Sequence, residues 1–433
     1  MCKGALNTMR QMKNSGISWV GEIPQHWETR RTKYCFASTK EIAGIRADDY
    51  ERLALTMNGV IKRSKDDNTG LQPEKFETYQ ILRPNELVFK LIDLQNVSTS
   101  RVGLSPYLGL VSPAYIILKS SNGKVMPRFA EKYFLMLWKN QIFNALGDAG
   151  VRSSLNIADL LEIPLAFPPL TEQQRIADFL DRECERIDKL KADIQAQIDT
   201  LELYKRSVIT EAVTHGLNHD VFMKDSGAGW MPIVPQHWRV EKLKYNLCQR
   251  CVKNQTDKQV LSLYREYGIV PKDSRDDNHN VTSEDVSDYR YVRVGDFVVN
   301  KMKAWQGSVA VSNYEGIVSP AYFVYEFSNK DIDGKYFHYL IRNKTYTAEF
   351  RRLSGGIREG QWDLPAGALN NTYILIPPFD EQKAIAEYLD HKCAEIEQII
   401  ADKKAQLETL DNYKKSLIYE YVTGKKEVPI NEL

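Results

Sequence analysis

The chain has 433 residues, enough for two or three ordinary domains, and its 43% hydrophobic and 10% aromatic content fits packed globular material rather than disorder. No apolar run approaches the roughly 18 residues of a membrane span, and the opening MCKGALNTMRQMKNSG has no apolar core for a signal peptide. The net charge of +1 conceals an alternation: Lys and Arg against Asp and Glu run 22 to 16 in residues 1–166, 7 to 11 in 167–222, 21 to 18 in 223–375 and 8 to 12 in 376–433. Mild basicity in two separate segments is compatible with nucleic-acid binding. Six scattered cysteines, at 2, 35, 184, 248, 251 and 393, suit a reducing cytoplasm better than a disulfide framework.

In chain order the first distinctive string is MKNSG at 12–16, followed by PQHW at 24–27; both return, as MKDSG at 223–227 and PQHW at 235–238. VSPAY stands at 111–115 and 318–322, IPLAFPPLTEQQRIADFLD at 163–181 answers YILIPPFDEQKAIAEYLD at 373–390, and YKRSVITEAVT at 204–214 answers YKKSLIYEYVT at 413–423. One unit of about 210 residues is therefore duplicated in tandem, a period far too long for a solenoid. Residues 40–110 and 248–317 barely resemble each other, which suggests two similar modules reading different things.

Behind each Pro-Pro pair comes a heptad pattern. The first seam runs through Leu180, Cys184, Ile187, Lys191, Ile194, Ile198, Leu201, Lys205 and Val208; the second through Leu389, Cys393, Ile396, Ile400, Lys403, Leu407, Leu410, Lys414 and Leu417. Each predicts an uninterrupted helix of about 42 residues, roughly 63 Å at 1.5 Å per residue. Thr171 with Gln174 fits a capping box and Asp380 an N-cap, while Gly216 and Gly424 fit C-terminal caps. A lone helix of this length would expose its apolar stripe, so the two seams are expected to pair, antiparallel, with a module at each end of the resulting rod. The expected domains are 1–167 and 217–376 for the modules, 168–216 for the central helix and 377–433 for the C-terminal helix and tail.

The strings that carry chemistry in enzymes are missing. There is no G-x-x-x-x-G-K-[ST] and no G-x-G-x-x-G, and Phe167 and Ile376 precede the Pro-Pro pairs where adenine and cytosine methyltransferases place a polar residue. Cys248 and Cys251 form a lone C-x-x-C without a second ligand pair, so no metal site is expected. His26 and His237 have no Ser, Cys or Asp in a recurring partner position, and a structural role is expected for them.

Two variable modules, each closing on PP-x-x-EQ-x-x-IA-x-[FY]LD and a long helix ending YK-[RK]-S-[VL]-I, resemble the specificity subunit of type I restriction-modification enzymes over essentially the whole chain. GWMPIVPQHW and VTHG depart mildly from the wording usual in that family. The resemblance implies an α/β (α+β) fold: two α/β target recognition domains joined by two long helices in an antiparallel coiled coil, a tandem pseudo-twofold repeat. It also implies a non-catalytic chain without cofactors of its own, each module reading one half of an asymmetric bipartite site on double-stranded DNA. Two methyltransferase subunits and the restriction-translocase subunits would be its partners, holding S-adenosylmethionine, ATP and Mg.

DNA affinity needs Lys and Arg on phosphates, and specificity needs side chains on base edges. The divergent stretches offer Lys62, Arg63, Lys65, Lys90, Gln95, Asn96 and Arg101 in the first module, and Lys272, Arg275, Asn278, Asn300, Lys301, Lys303 and Gln306 in the second. Arg152 and Arg358, in Gly-flanked stretches at related points, are candidate phosphate clamps common to both. The rival reading is a protein–protein scaffold, two globules on a coiled-coil rod with no nucleic acid.

Overall fold

The computed structural model describes residues 10–67, 75–94, 100–147, 154–274, 282–358 and 361–429. The chain divides into two compact units: residues 1–194 with 405–433 form unit 1, and 195–404 form unit 2. Each long helix is thereby shared, its N-terminal part with one module and its C-terminal part with the other.

Both units are built on one plan. In unit 1 the strands Phe36–Ser38, Ile116–Ser120, Leu87–Phe89 and Val102–Leu104 form an antiparallel sheet in that order. In unit 2 the same positions are taken by Leu247–Arg250, Tyr322–Phe327, Phe297–Asn300 and Val309–Val311. A second sheet in unit 1 runs Gly59–Arg63, Arg52–Thr56, Gly109–Val111, Gln80–Leu82, with a parallel step at Arg52 and Leu110. Unit 2 repeats this order as two hairpin-like ribbons, Leu261–Tyr264 with Gly268–Pro271 and Arg290–Val292 with Gly316–Val318, linked by a parallel bridge from Val260 to Ile317. The stretches whose sequences diverge most thus share one topology.

A glycine repeats at the parallel step for a steric reason. A Cβ on Gly109 would lie 2.6 Å from the Glu51 carbonyl oxygen, and one on Gly316 would lie 2.5 Å from that of Gln259. Two strands can approach this closely only where one has no side chain.

The PQHW string recurs because it closes each unit. The strand after it, Glu28–Arg31, pairs antiparallel with Pro164–Phe167, the strand just before the Pro-Pro pair; Arg239–Lys242 does the same with Tyr373–Ile376. That pairing brings the EQ dipeptide at each helix start onto PQHW. Trp27 is wholly buried, and its Nε1 donates to Glu172 Oε1 at 3.2 Å while His26 Nε2 lies 2.7 Å from Oε2. In unit 2 Trp238 Nε1 donates to Glu381 Oε1 at 3.1 Å and His237 Nε2 lies 2.8 Å from Oε2. Burying an indole removes about 200 Å² of apolar surface, on the order of 5 kcal/mol, and a buried N–H needs an acceptor. The neighbouring glutamines staple the helix starts: Gln173 donates to Lys124 O and Pro168 O and accepts from Met126 N, and Gln382 likewise bonds Asp331 O, Pro377 O and Asp333 N.

The long helices span Leu170–His215 and Phe379–Val422, 46 and 44 residues. They begin earlier than expected. Pro169 O accepts from Glu172 N and Gln173 N, and Pro378 O from Gln382 N, so Thr171 and Asp380 lie inside the first turn and do not cap it. The C-terminal glycines do cap: Gly216 and Gly424 adopt φ of 81° and 70°. Each also presses on a PQHW string. A Cβ on Gly424 would meet Pro24 Cδ at 2.5 Å and Trp27 Cζ2 at 3.0 Å, and one on Gly216 would meet Trp238 Cζ2 at 3.2 Å.

The helix segments within each unit run antiparallel. In unit 1 Lys191 pairs with Asp411, Lys414 Nζ lies 2.6 Å from Asp188, and Phe179 stacks tilted on Tyr421 at 4.5 Å. In unit 2 Lys205 pairs with Glu397 and Lys403 Nζ donates to Gln197 Oε1 at 2.6 Å. The seam lysines, odd in an apolar stripe, therefore snorkel to acceptors on the facing helix. Leu180, Ile187, Ile198, Leu389, Ile396 and Ile400 are buried; Ile194, Leu201, Leu407 and Leu410 are half-buried. Cys184 and Cys393 are free and buried, and burial pushes both thiols up. Among the described residues no helix is long and apolar enough to cross a membrane.

Candidate nucleic-acid interface

The candidate residues fall into two groups by location. One lies on the outer ribbon of the second sheet. Lys62 Nζ is 2.6 Å from Glu51 and 5.4 Å from the Tyr107 ring, Arg63 Nε donates to Asp67 at 2.6 Å, and Lys65 Nζ donates to Ala47 O at 2.8 Å with Asp48 at 3.6 Å. These cations border a groove of about 460 Å³ that Asp48, Asp49 and Glu51 also line. Paired in this way they offer phosphate a weaker field than their number suggests. In unit 2 Lys272 donates to Thr282 Oγ1; Arg275 and Asn278 lie outside the described residues.

The other group occupies the connection between the last two strands of the first sheet, where the units are again equivalent. Leu155 N donates to Leu91 O in unit 1 and Leu364 N to Lys301 O in unit 2. The described residues 91–94 and 100–101 of unit 1 therefore correspond to the start and end of residues 301–308 in unit 2, and Leu155 corresponds to Leu364. Nearly every remaining candidate falls here, including Lys90, Arg101, Asn300, Lys301, Lys303, Gln306 and Arg358; Gln95, Asn96 and Arg152 lie outside the described residues.

Their settings differ. Arg101 is fully buried and its guanidinium donates to the Asp93 carbonyl. Burial also pulls the Arg101 pKa down, and it lowers that of Lys90, with the Arg101 charge adding to the effect. Asn300 is buried too, its Oδ1 accepting from Met302 N at 3.1 Å, which fixes the turn that presents Lys301 and Lys303. Lys301 is half-buried, 3.7 Å from Asp363. Lys303 and Arg358 are exposed, and Gln306 half-exposed. Trp305, between Lys303 and Gln306 in sequence, has its ring 5.6 Å from Trp362 and 5.9 Å from the Arg351 guanidinium. The sequence reading missed these two tryptophans because it sought charge and amide groups only.

The His–Glu pairs deserve a chemical reading as well. Burial would raise the Glu172 carboxyl, but hydrogen bonds from His26, Arg10 and Trp27 outweigh it and hold its pKa below the ordinary value. With Oε1 engaged by Trp27 and Arg10 and Oε2 by His26, the carboxylate ties the PQHW string to the start of the long helix.

Two copies of one α/β module, each completed by long-helix segments, define a tandem two-module protein. The sequence profile described as the type I restriction modification DNA specificity domain matches residues 60–200 and 237–409. The chain belongs to this family and is a type I restriction-modification specificity subunit. It is 21% identical over 440 residues, covering 94% of this chain and 96% of the relative, to a Methanocaldococcus jannaschii protein named as the specificity subunit of type I restriction enzyme MjaX. It is 20% identical to the EcoKI specificity subunit of Escherichia coli K12, covering 67% of this chain and 63% of that one. A solved chain from work on complex assembly and conformational transition of the type I R-M system is 13% identical and superimposes with a TM-score of 0.66 over 93% of this chain and 99% of that chain, a likeness of fold.

Proposed function

We propose that units 1 and 2 each read one half of an asymmetric, two-part site on double-stranded DNA, and that the long helices fix the gap between the halves and dock two methyltransferase subunits. The observation that carries this is the contrast between frame and loops. The strand order, the Trp–Glu clamp and the parallel-step glycine are common to both units, while the stretches 91–101 and 301–308 hold different side chains. A frame kept constant under variable polar loops suits two modules with one task and two targets.

In this reading the chain itself is non-catalytic. S-adenosylmethionine, ATP and Mg belong to the methyltransferase and restriction-translocase partners, and adenine methylation in a duplex requires the base to be extruded into a partner's pocket. The test is a single-molecule methylome of the source strain with and without this gene. Loss of one asymmetric two-part adenine motif, its halves about 10 bp apart centre to centre, supports the reading. An unchanged methylome, together with no salt-sensitive DNA binding by the chain and its methyltransferase partner, favours the protein-scaffold alternative.

A further inference from the structure

Trp305 is placed on the loop of unit 2 where the candidate base-reading residues gather, and it is only half-buried. Its single polar atom is spent inside the loop, Nε1 donating to Met302 O at 3.1 Å. What the indole offers outward is therefore ring surface and not a hydrogen bond.

The platform beneath it is firm. Ala304 beside it is wholly buried, Lys303 N and Gln306 N close successive turns on Asn300 O and Lys303 O at 3.0 Å, and Gly307 holds φ of 91° against Thr347. Trp362 meets the Trp305 ring at an interplanar angle of 61°, and Arg351 lies beside it. Lys303 and Arg358, both exposed, belong to the same two segments.

The fold does not require this arrangement. In unit 1 the equivalent stretch, Leu91 to Arg101, contains no aromatic residue, and Ser153 stands where the Leu155–Leu364 equivalence places Trp362. The Trp305–Trp362 pair is thus particular to the sequence of unit 2.

We propose that Trp305 is an aromatic wedge for duplex DNA: its ring stacks into a base step of the half-site read by unit 2, braced by Trp362 and Arg351, with Lys303 and Arg358 on flanking phosphates. Large apolar side chains used in this way unstack a step and bend the duplex. Unit 2 then recognises a deformable step, such as a pyrimidine–purine step, in addition to base edges, while unit 1 does not. This inference rests on the DNA-recognition reading above.

The test selects bound sequences from a randomised duplex library, using the full chain with its methyltransferase subunit. The wild type should return a two-part motif. Trp305→Ala should keep the unit 1 half, blur the unit 2 half and bind the wild-type motif about 5- to 150-fold more weakly, the range seen when a base–aromatic stack is removed; Trp305→Phe should restore most of this. A second measurement needs no variant: 2-aminopurine scanned through the unit 2 half should brighten at one unstacked step on binding. Motifs unchanged in Trp305→Ala, equal loss of both halves, or no bright step in the wild type would each overturn the wedge. No motif enriched by the wild type would sink the DNA reading itself and the wedge with it.

Discussion

Removing the Glu172 carboxylate should loosen unit 1 and leave unit 2 intact. In Glu172→Ala the Trp27 Nε1–H, inside a fully buried indole, loses its acceptor; an orphaned buried donor costs about 1–3 kcal/mol. Glu172 also accepts from Arg10 and His26, whose side chains are 20% and 48% exposed, so solvent screening limits those pairings to under about 1 kcal/mol together. The total is roughly 1–4 kcal/mol. For a unit of this size, at about 2–4 °C per kcal/mol, the unit 1 transition should fall by roughly 2–15 °C. Because two units need not melt together, the assay is hydrogen exchange along the full chain, with peptides from 17–38 and 116–138 reporting on unit 1 and those from 297–341 on unit 2. The mirror variant Glu381→Ala should reverse the pattern. Unchanged protection around Trp27 in Glu172→Ala would refute the clamp, and equal loosening of both units would refute its locality.

The same carboxylate sets a pH dependence. Its folded pKa is below its ordinary value, so its contribution is present above about pH 4.5 and is lost as pH falls through the folded pKa; the stability gap between wild type and Glu172→Gln should be constant near neutrality and close in acid. Gly109→Ala and Gly316→Ala each drive a Cβ into a backbone carbonyl and should each cost about 1–3 kcal/mol in urea unfolding, whereas Gly367→Ala, in a helix with open space around it, should gain about 0.5–1 kcal/mol. Arg358→Ala should weaken DNA binding by the assembled complex about equally on all sequences and flatten its salt dependence by about one charge, while Gln306→Ala should relax base choice; equal losses on cognate and scrambled duplexes would remove Gln306 from the readers.

The repeat, the helices and their antiparallel pairing were legible in the sequence because each is written as a period. PQHW and EQ recur at offsets of 211 and 209 residues, and Leu180 to Leu201 keep heptad spacing that only a partnered helix needs. What was not legible lies in contacts between distant residues. Nothing local links His26 to Glu172, 146 residues on, and the histidine therefore lacked a partner until the strand pairing brought the carboxylate to it. Helix starts slipped by one or two residues because the proline carbonyls before them are as able to accept as a Thr or Asp side chain. Among the candidate contacts, residue type was a poor guide to exposure: Arg101 reads as a phosphate ligand and is buried, bonded to the Asp93 carbonyl, whereas Trp305, which a search for charge and amide groups passes over, is partly exposed.

Unit 1 is completed by residues that follow unit 2 in sequence, and this yields the sharpest consequence of the fold. Leu417, Ile418, Tyr421 and Val422 are buried in the core that holds Trp27, Phe129 and Phe179, and Gly424 closes on the Pro24–Trp27 turn. Four such side chains, at about 1.5–3 kcal/mol each, contribute at most about 6–12 kcal/mol, as much as the entire net stability of a typical domain. Ending the chain after Lys404 leaves unit 2 with all of its residues and removes only unit 1's last segment. The truncated protein should therefore lose exchange protection throughout 17–138 while keeping it at 297–341 and along 379–400. Supplying the peptide 405–429 in trans should restore part of the unit 1 protection. Full protection of unit 1 without that segment would mean that its core closes on residues 10–194 alone, and that the terminal helix does not complete the first recognition module.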